Sequence, residues 1–171
     1  MKQPRRAILI VVSVIALFFL FLTWYKFTYS MDYIEPYEIN SPSLNHKLLI
    51  ATQGSKFKNL VTQGVIDYYR SDLLFIKVID ISALPGIEPK DYSAILLIHT
   101  WENWKPPLIV QTFLEKTTNK KNRIVVFTTS GDGSYKMENV DAITGESILG
   151  DAPVFVDKII KKLNPIFDLK N

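Results

Sequence analysis

The sequence predicts an α/β fold in which helices cover both faces of a mostly parallel sheet, preceded by one apolar helix at the N-terminus. Two observations predict it. From residue 46 to about residue 167, short apolar runs alternate with segments of helical periodicity, as strands and helices do around a parallel sheet. Before them, residues 7–25 form an uncharged apolar stretch long enough to cross a bilayer as a helix. We therefore expect a three-layer sandwich joined to a single transmembrane helix.

The apolar stretch is interpreted as a retained membrane anchor. As a helix, residues 7–25 would cover about 28 Å, close to the ~30 Å hydrocarbon thickness of a bilayer. The alternative is a cleaved secretory signal, which has a shorter apolar core followed by small residues. Here Trp24, Tyr25 and Lys26 close the stretch instead, and such aromatic and basic residues are typical of a membrane interface.

The distribution of basic residues predicts the orientation of the anchor. Lys2, Arg5 and Arg6 precede the apolar stretch, whereas only Lys26 follows it closely. Because basic residues stay on the cytoplasmic side, we expect a cytoplasmic N-terminus and a C-terminal domain outside the cytoplasm, in the periplasm if the source is bacterial.

The rest of the chain divides into a linker and one domain. Residues 27–45 are interpreted as a linker because Pro36 and Pro42 interrupt a segment with little periodicity. Residues 46–167 have a normal length for one compact domain with its own core. The predicted organisation is thus a basic tip and anchor over residues 1–26, the linker, and this domain.

Charge and composition exclude several functions. The chain has a formal net charge of +3, and removing the four basic residues of the anchor region leaves +3 minus 4, or −1. A domain so close to neutral does not predict a nucleic-acid partner. The chain has no cysteine and only two histidines, His46 and His99, so neither thiol chemistry nor a metal site is predicted. No acid–base pair or nucleophile motif identifies catalytic residues.

Within the domain, four apolar runs predict strands, at residues 47–51, 73–79, 93–99 and 123–128. Helices are predicted at residues 56–70, 106–116 and 151–163. Residues 140–144 are a candidate fifth strand. Because too few residues precede them for a helical crossover, we expect a short strand or an irregular connection.

In such a sheet, ligands bind beyond the carboxyl ends of the strands. Three loops follow the predicted strands at that edge: residues 52–57, 100–104 and 129–135. Any binding site is therefore predicted in these loops.

These loops carry a recognisable set of residues. The first contains Thr52, Gln53, Gly54, Ser55 and Lys56; the second is entered through His99, Thr100 and Trp101; the third contains Ser130, Gly131, Asp132, Gly133, Ser134 and Tyr135. Over residues 46–163 the chain resembles the flavodoxins. The first loop stands at their phosphate loop, the second resembles their Ser-Thr-Trp or Pro-Thr-Tyr strand end, and the third resembles their Phe-Gly-x-Gly-Asp stretch with its nearby Tyr.

The resemblance implies a bound FMN and electron transfer close to the membrane. The residues implied in cofactor binding are Thr52, Gln53, Gly54, Ser55, Lys56, Thr100, Trp101, Trp104, Ser130, Gly131 and Asp132. A phosphate needs backbone amides and hydroxyls at a helix N-terminus, which the first loop would offer, and a flavin ring needs flat aromatic surfaces, which Trp101, Trp104 and Tyr135 would offer. However, Gln53 and Phe57 stand where flavodoxins have Thr or Ser.

Two alternatives remain open. In the first, the domain has lost its cofactor and is a non-catalytic interaction domain of the cell envelope, in which Trp101, Glu102, Asn103 and Trp104 with the loop 131–133 contact a membrane or envelope protein. In the second, residues 141–147 resemble the Asp-Ala-x-Thr-Gly-Ala-Thr motif that carries FMN as a phosphoester. Ser147 would then be the acceptor, although Glu146 stands where the motif has Ala.

Overall fold

The structure is a computed structural model that describes residues 3–29, 31–102, 104–117, 122–137 and 140–167. Two predictions involve residues outside this set, Lys2 for the orientation of the anchor and Asn103 for the contact surface. The chain divides into two compact units, Met1–Met31 and Asp32–Asn171.

The first unit is a single helix, α1, over Gln3–Tyr29. Its segment Arg6–Tyr25 is apolar and long enough to cross a membrane, and none of it is buried inside the protein. Apolar side chains lie all round the helix, so it has no polar face to turn toward water. Its length and composition identify a candidate membrane span, although a signal sequence near an N-terminus has the same properties.

The second unit contains a six-stranded sheet. Its strands are β1 (Tyr37–Ile39), β2 (His46–Thr52), β3 (Leu74–Asp80), β4 (Ala94–Thr100), β5 (Ile124–Thr129) and β6 (Ala142–Gly145). The spatial order is β1-β3-β2-β4-β5-β6, and only β1 runs antiparallel to its neighbour. Counted without β1, the parallel strands have the order 2-1-3-4-5 of flavodoxin-like sheets. The domain therefore has a flavodoxin-like fold.

Helices cover both faces of this sheet. On one face α2 (Lys56–Tyr69) and α4 (Ala152–Leu163) pack on the alternate residues of the strands that include Leu48, Leu96 and Phe127. On the other face α3 (Leu108–Lys116) and a 3₁₀ turn (Ile81–Gly86) pack on the remaining set. Because both faces are buried, the central strands are nearly continuous runs of Leu, Ile and Val.

The predicted strands and helices are present, with ends shifted by a few residues. Helix α3 begins at Leu108, after Pro106 and Pro107, rather than at residue 106. The fifth predicted strand exists as the four-residue β6, paired in parallel with β5. Between Thr129 and Ala142, the described residues contain no helix, as the short connection predicted.

The structure corrects the linker prediction for residues 32–39, which we call the strap. Asp32 pairs with Gly54 as an isolated antiparallel bridge, the backbone N–H of Ile34 donates to Asp80 Oδ2 at 3.3 Å, and β1 pairs with the outer edge of β3. The strap therefore belongs to the domain and protects the edge of β3, which would otherwise present unpaired backbone groups.

Candidate functional site

The three predicted loops lie together beyond the carboxyl ends of β2, β4 and β5. Strands β2 and β4 are neighbours in the sheet. The strand order reverses between them, because the chain continues from β2 to β3 on one side and from β4 to β5 on the other. In open α/β sheets this reversal opens a crevice where ligands bind. The candidate site is therefore at this carboxyl edge of the sheet.

The first loop is occupied by the strap. The backbone N–H of Gly54 donates to the carbonyl oxygen of Asp32 at 2.9 Å, and the N–H of Asp32 donates back to Gly54 at 3.0 Å. A Cβ on Gly54 would overlap that same carbonyl group. Glycine is needed here because the backbone of the strap lies directly against it.

The polar side chains of the first loop are bonded within the protein. Gln53 accepts from the backbone N–H of Thr100 at 2.7 Å and donates from Nε2 to Glu102 at 2.7 Å. The hydroxyl of Thr52 donates to the carbonyl of Gln53. Ser55 caps α2 by accepting from the N–H of Lys58 at 3.2 Å. Gln53 thus joins the first loop to the second and holds both in place.

Lys58 lies in the first turn of α2 and is fully buried. Its Nζ lies 3.4 Å from Ser55 Oγ. Burial lowers the pKa of Lys58 to about 8, and the carboxylate of Glu102 offsets part of that effect. The buried ammonium of Lys58 and the carboxylate of Glu102 therefore partly offset each other's charge at this edge of the domain.

His99 is the second buried titratable group at this edge. It pairs in register with Thr128 on β5, and neither of its ring nitrogens, nor Thr128 Oγ1, forms a hydrogen bond with a described residue. Burial lowers the pKa of His99 to about 4, so the imidazole is neutral near pH 7. No cluster of metal-ligating side chains occurs among the described residues, and the ring has no carboxylate to orient it.

The second and third loops meet through aromatic rings. The backbone N–H of Trp101 donates to Thr129 at 2.8 Å, and the hydroxyls of Thr100 and Thr129 are 2.8 Å apart. The rings of Trp101 and Tyr135 lie against each other, with centroids 5.2 Å apart and planes 34° apart. This contact joins the two loops.

The third loop is shaped by Asp132. Its Oδ1 accepts from the backbone N–H of Ser134 at 3.0 Å and from the hydroxyl of Ser130 at 3.3 Å. These donors lower the pKa of Asp132, the N–H of Ser134 most strongly. The turn is completed by Gly133, whose φ of +68° favours glycine. The exposed carboxylate is thus fixed at the rim of the site.

A shallow cavity of about 400 Å³ lies between these two loops. Its lining consists of Trp101, Trp104, Ser130, Gly131, Asp132 and Tyr135. Its size falls within the range of small-molecule pockets. Five of the predicted site residues are thus brought together, with Tyr135 as the sixth.

The other predicted site residues are not presented to this cavity. Thr52, Gln53 and Gly54 are buried and bonded as described above, and Ser55 is engaged as a helix cap. Lys56 is exposed on the first turn of α2. Thr100 is held between Gln53 and Thr129. Sequence reasoning missed Asp32, since a backbone pairing across the fold leaves no signal in the side chains.

FMN consists of a flavin ring and a phosphate-bearing chain, and this edge of the sheet would have to accommodate both. The ring half has aromatic surface, but a flavin ring inserted between two aromatic rings needs their centroids about 7 Å apart, beyond the observed contact of Trp101 and Tyr135. The phosphate half has lost the N–H of Gly54 to Asp32. Asp32 and Glu102 also bring carboxylates to this end of the site, which repel a phosphate. In this arrangement the Gly54 N–H is not available to a phosphate group.

Comparisons with known proteins concern the fold. No protein-family model matches the chain, and no curated protein sequence matches it either. The structure is similar to a flavodoxin from the domain Archaea, with a TM-score of 0.48 and 12% identity over 71% of this chain and 99% of that chain. It is also similar to oxidised Flavodoxin 2 from Bacillus cereus, with a TM-score of 0.31 and 17% identity over 70% and 75%.

Proposed function

We propose that this protein is a membrane-anchored, flavodoxin-like interaction domain that acts by contact rather than through bound FMN. The observation that carries the proposal is the pairing of Asp32 with Gly54, because it places the protein's own backbone where a phosphate would approach the first loop. The strap, the Gln53 bonds and the Trp101–Tyr135 contact all stabilise this closed arrangement.

Opening the first loop would carry an energetic cost. FMN would have to displace two backbone hydrogen bonds and bring a phosphate near the carboxylates of Asp32 and Glu102. Each bond that is lost without replacement costs about 1 kcal/mol. The buried ammonium of Lys58 already lies within the influence of Glu102, so it offers the phosphate little additional attraction.

The proposed location follows from the anchor. We propose that α1 is retained, that its N-terminus is cytoplasmic, and that the domain contacts a membrane or envelope component on the other side, in the periplasm if the source is bacterial. The basic residues before the apolar stretch support this orientation. Intact mass of the membrane fraction and protease protection of sealed vesicles test these two points, and a mass lacking the anchor would contradict retention.

An FMN titration tests the absence of the cofactor. The full-length protein, in a mild detergent, is titrated into FMN while flavin fluorescence is followed. No quenching at tens of micromolar FMN is expected, because the first loop is closed. Saturable quenching there would contradict the proposal. For the attachment that the motif at Ser147 suggests, a mass increase equal to one FMN phosphoester would contradict it as well.

A second candidate function is FMN-dependent electron transfer, and the aromatic cavity favours it. Trp101, Trp104 and Tyr135 provide flat surface beside hydroxyls at the same strand ends that flavodoxin-like sheets use. Bound FMN would supply one- and two-electron transfer. If quenching is observed, Trp101→Leu should weaken FMN binding at least about fivefold, since stacking accounts for about 1–3 kcal/mol per ring; Trp24→Leu, in α1, is the matched control.

A further inference from the structure

Five of the ten large apolar side chains that are exposed among the described residues of the domain lie at the edge of the sheet to which the strap is attached. They are Tyr33, Trp104, Leu108, Ile148 and Leu149. Tyr33 follows Asp32, which pairs with Gly54 beyond β2; the other four lie between the ends of β4 and β6 and the starts of α3 and α4. In a parallel sheet these places belong to one edge.

We propose that this carboxyl edge rests on the lipid surface, with Trp104 and Leu108 inserted at the headgroup level. The proposal deepens the proposed function and rests on its retained anchor. Trp104 is 74% exposed and Leu108 77%. A Trp whose ring is apolar and whose N–H is polar is well suited to a membrane interface.

The backbone around Trp104 projects this side chain outward. Glu102 and Lys105 exchange two backbone hydrogen bonds, of 2.8 and 3.0 Å, and Trp104 between them has a φ of +58°. Such a conformation is uncommon for a residue with a Cβ, and it concentrates at binding sites. The tight turn therefore holds a large aromatic side chain in solvent at the tip of the second loop.

The short connection between the apolar segment and the strap favours a lipid surface as the partner of this edge. Seven residues lead from Tyr25, the end of the apolar segment, to Asp32. Helix α1 continues over the first four of them, to Tyr29, and rises about 6 Å there, while the last three span at most about 11 Å, so the whole reach is at most about 17 Å. The strap fixes Asp32 at the carboxyl edge. The strands are about 23 Å long for seven residues, so an anchored chain of this reach keeps the carboxyl edge, rather than the opposite one, near the membrane.

The charged side chains at this edge indicate which force would hold it on the lipid surface. The exposed Lys56 and Lys105 share this edge with five exposed carboxylates, those of Asp32, Glu102, Asp132, Glu146 and Asp151. Because carboxylates outnumber these lysines, the edge is not attracted to anionic headgroups. Apolar insertion dominates, and we expect the contact to persist in neutral lipid and at high salt.

A pair of cysteine variants tests the proposal, since the natural chain has no cysteine. Leu108→Cys places a probe at the carboxyl edge, and Leu73→Cys, just before β3, places one at the opposite edge with nearly the same exposure, 77% against 79%. Each full-length variant is labelled with an environment-sensitive fluorophore and reconstituted in phosphatidylcholine vesicles with brominated lipid. We expect quenching at position 108 to exceed that at position 73 at least about twofold.

The outcomes separate the partners. Equal quenching at the two positions overturns the proposal, as does shielding at position 108 that rises with protein density, because that indicates a second copy of the chain. Ile148→Cys places the probe in another loop of the same edge and should show the same quenching as Leu108→Cys. Agreement between the two shows that the result does not come from a local folding defect at position 108. Alkaline carbonate extraction reports separately whether α1 integrates, so a failed anchor is distinguished from an edge that does not touch lipid.

Discussion

His99 is a titratable residue that the fold removes from water. Its ring is fully buried on the face of β4 that also carries Ile95 and Leu97. Burial lowers its pKa from 6.5 to about 4. Between these values the unfolded chain binds a proton that the folded chain does not. We therefore expect the free energy of unfolding to fall as pH drops from 6.5 to 4, by at most about 3 kcal/mol.

His99→Leu should remove most of this pH dependence and leave the stability near pH 7 unchanged or higher, because it replaces an unpaired buried imidazole with an apolar side chain. His46→Gln is the control, since His46 is exposed. Urea unfolding of the full-length protein in detergent at several pH values measures both. An unaltered pH profile in His99→Leu would show that other groups cause the loss.

Trp104 provides a second test at the scale of one residue. Its φ of +58° disfavours any residue with a Cβ by about 1 kcal/mol relative to glycine. Because the side chain is largely exposed, its removal costs little packing. Trp104→Gly should therefore be about 1 kcal/mol more stable than Trp104→Ala, as measured by denaturation followed by circular dichroism. Equal stability would mean that the turn relaxes.

Single residues also mark the limit of prediction from sequence. Trp101, Ser130 and Asp132 could be assigned to one edge because each follows a strongly apolar strand. The state of Gly54 could not, since its N–H pairs with a backbone group 22 positions earlier, in a segment without periodicity. A short first loop with a glycine is equally compatible with holding a phosphate and with touching another strand.

At the scale of elements, the strap should contribute to stability through Gly54. Gly54→Ala would force a Cβ into the backbone of Asp32, and such overpacking costs about 1–3 kcal/mol. Gly150→Ala is the matched control, because a Cβ there meets nothing within 4 Å. Urea unfolding compares the two variants. A loss no larger in Gly54→Ala than in the control would show that the strap is loosely held.

Helices α2 and α4 are tied together at their C-terminal ends. Tyr69 is buried and donates to Asn164 Oδ1 at 2.7 Å, while Asn164 donates to the hydroxyl of the exposed Tyr68 at 3.1 Å. Tyr69→Phe should cost about 1–2 kcal/mol because it leaves the buried amide oxygen without this donor. Tyr68→Phe should cost less than about 0.5 kcal/mol, as exposed changes do. Thermal unfolding distinguishes them, and equal losses would contradict the buried tie.

Elements with a strong pattern of their own were predictable. The four long strands and the three helices of the domain follow from apolar runs and helical spacing. Strand β1 was missed because three residues after Pro36 carry too little pattern, and their extended form is fixed by pairing with β3. The pattern predicts a helix from residue 106, but α3 starts at Leu108, two residues later, where the backbone first follows the helix.

At the scale of the whole molecule, an apolar helix precedes a flavodoxin-like domain whose first loop is paired with the strap. The six residues between the apolar segment and the strap link these features. A short connection that ends on the first loop both closes that loop and limits the distance of this edge from the anchor. The same residues thus support the proposed loss of FMN and the proposed membrane contact.

Amide hydrogen exchange at Gly54 tests the proposed closure of the first loop. The full-length protein is incubated in deuterated buffer with and without FMN, and exchange is read from fragments that contain Gly54 and Asp32. Both amides should be protected without FMN, because each donates to the carbonyl oxygen of the other residue, and FMN should leave their exchange rates unchanged. Rapid exchange at Gly54 that slows when FMN is added would contradict the account.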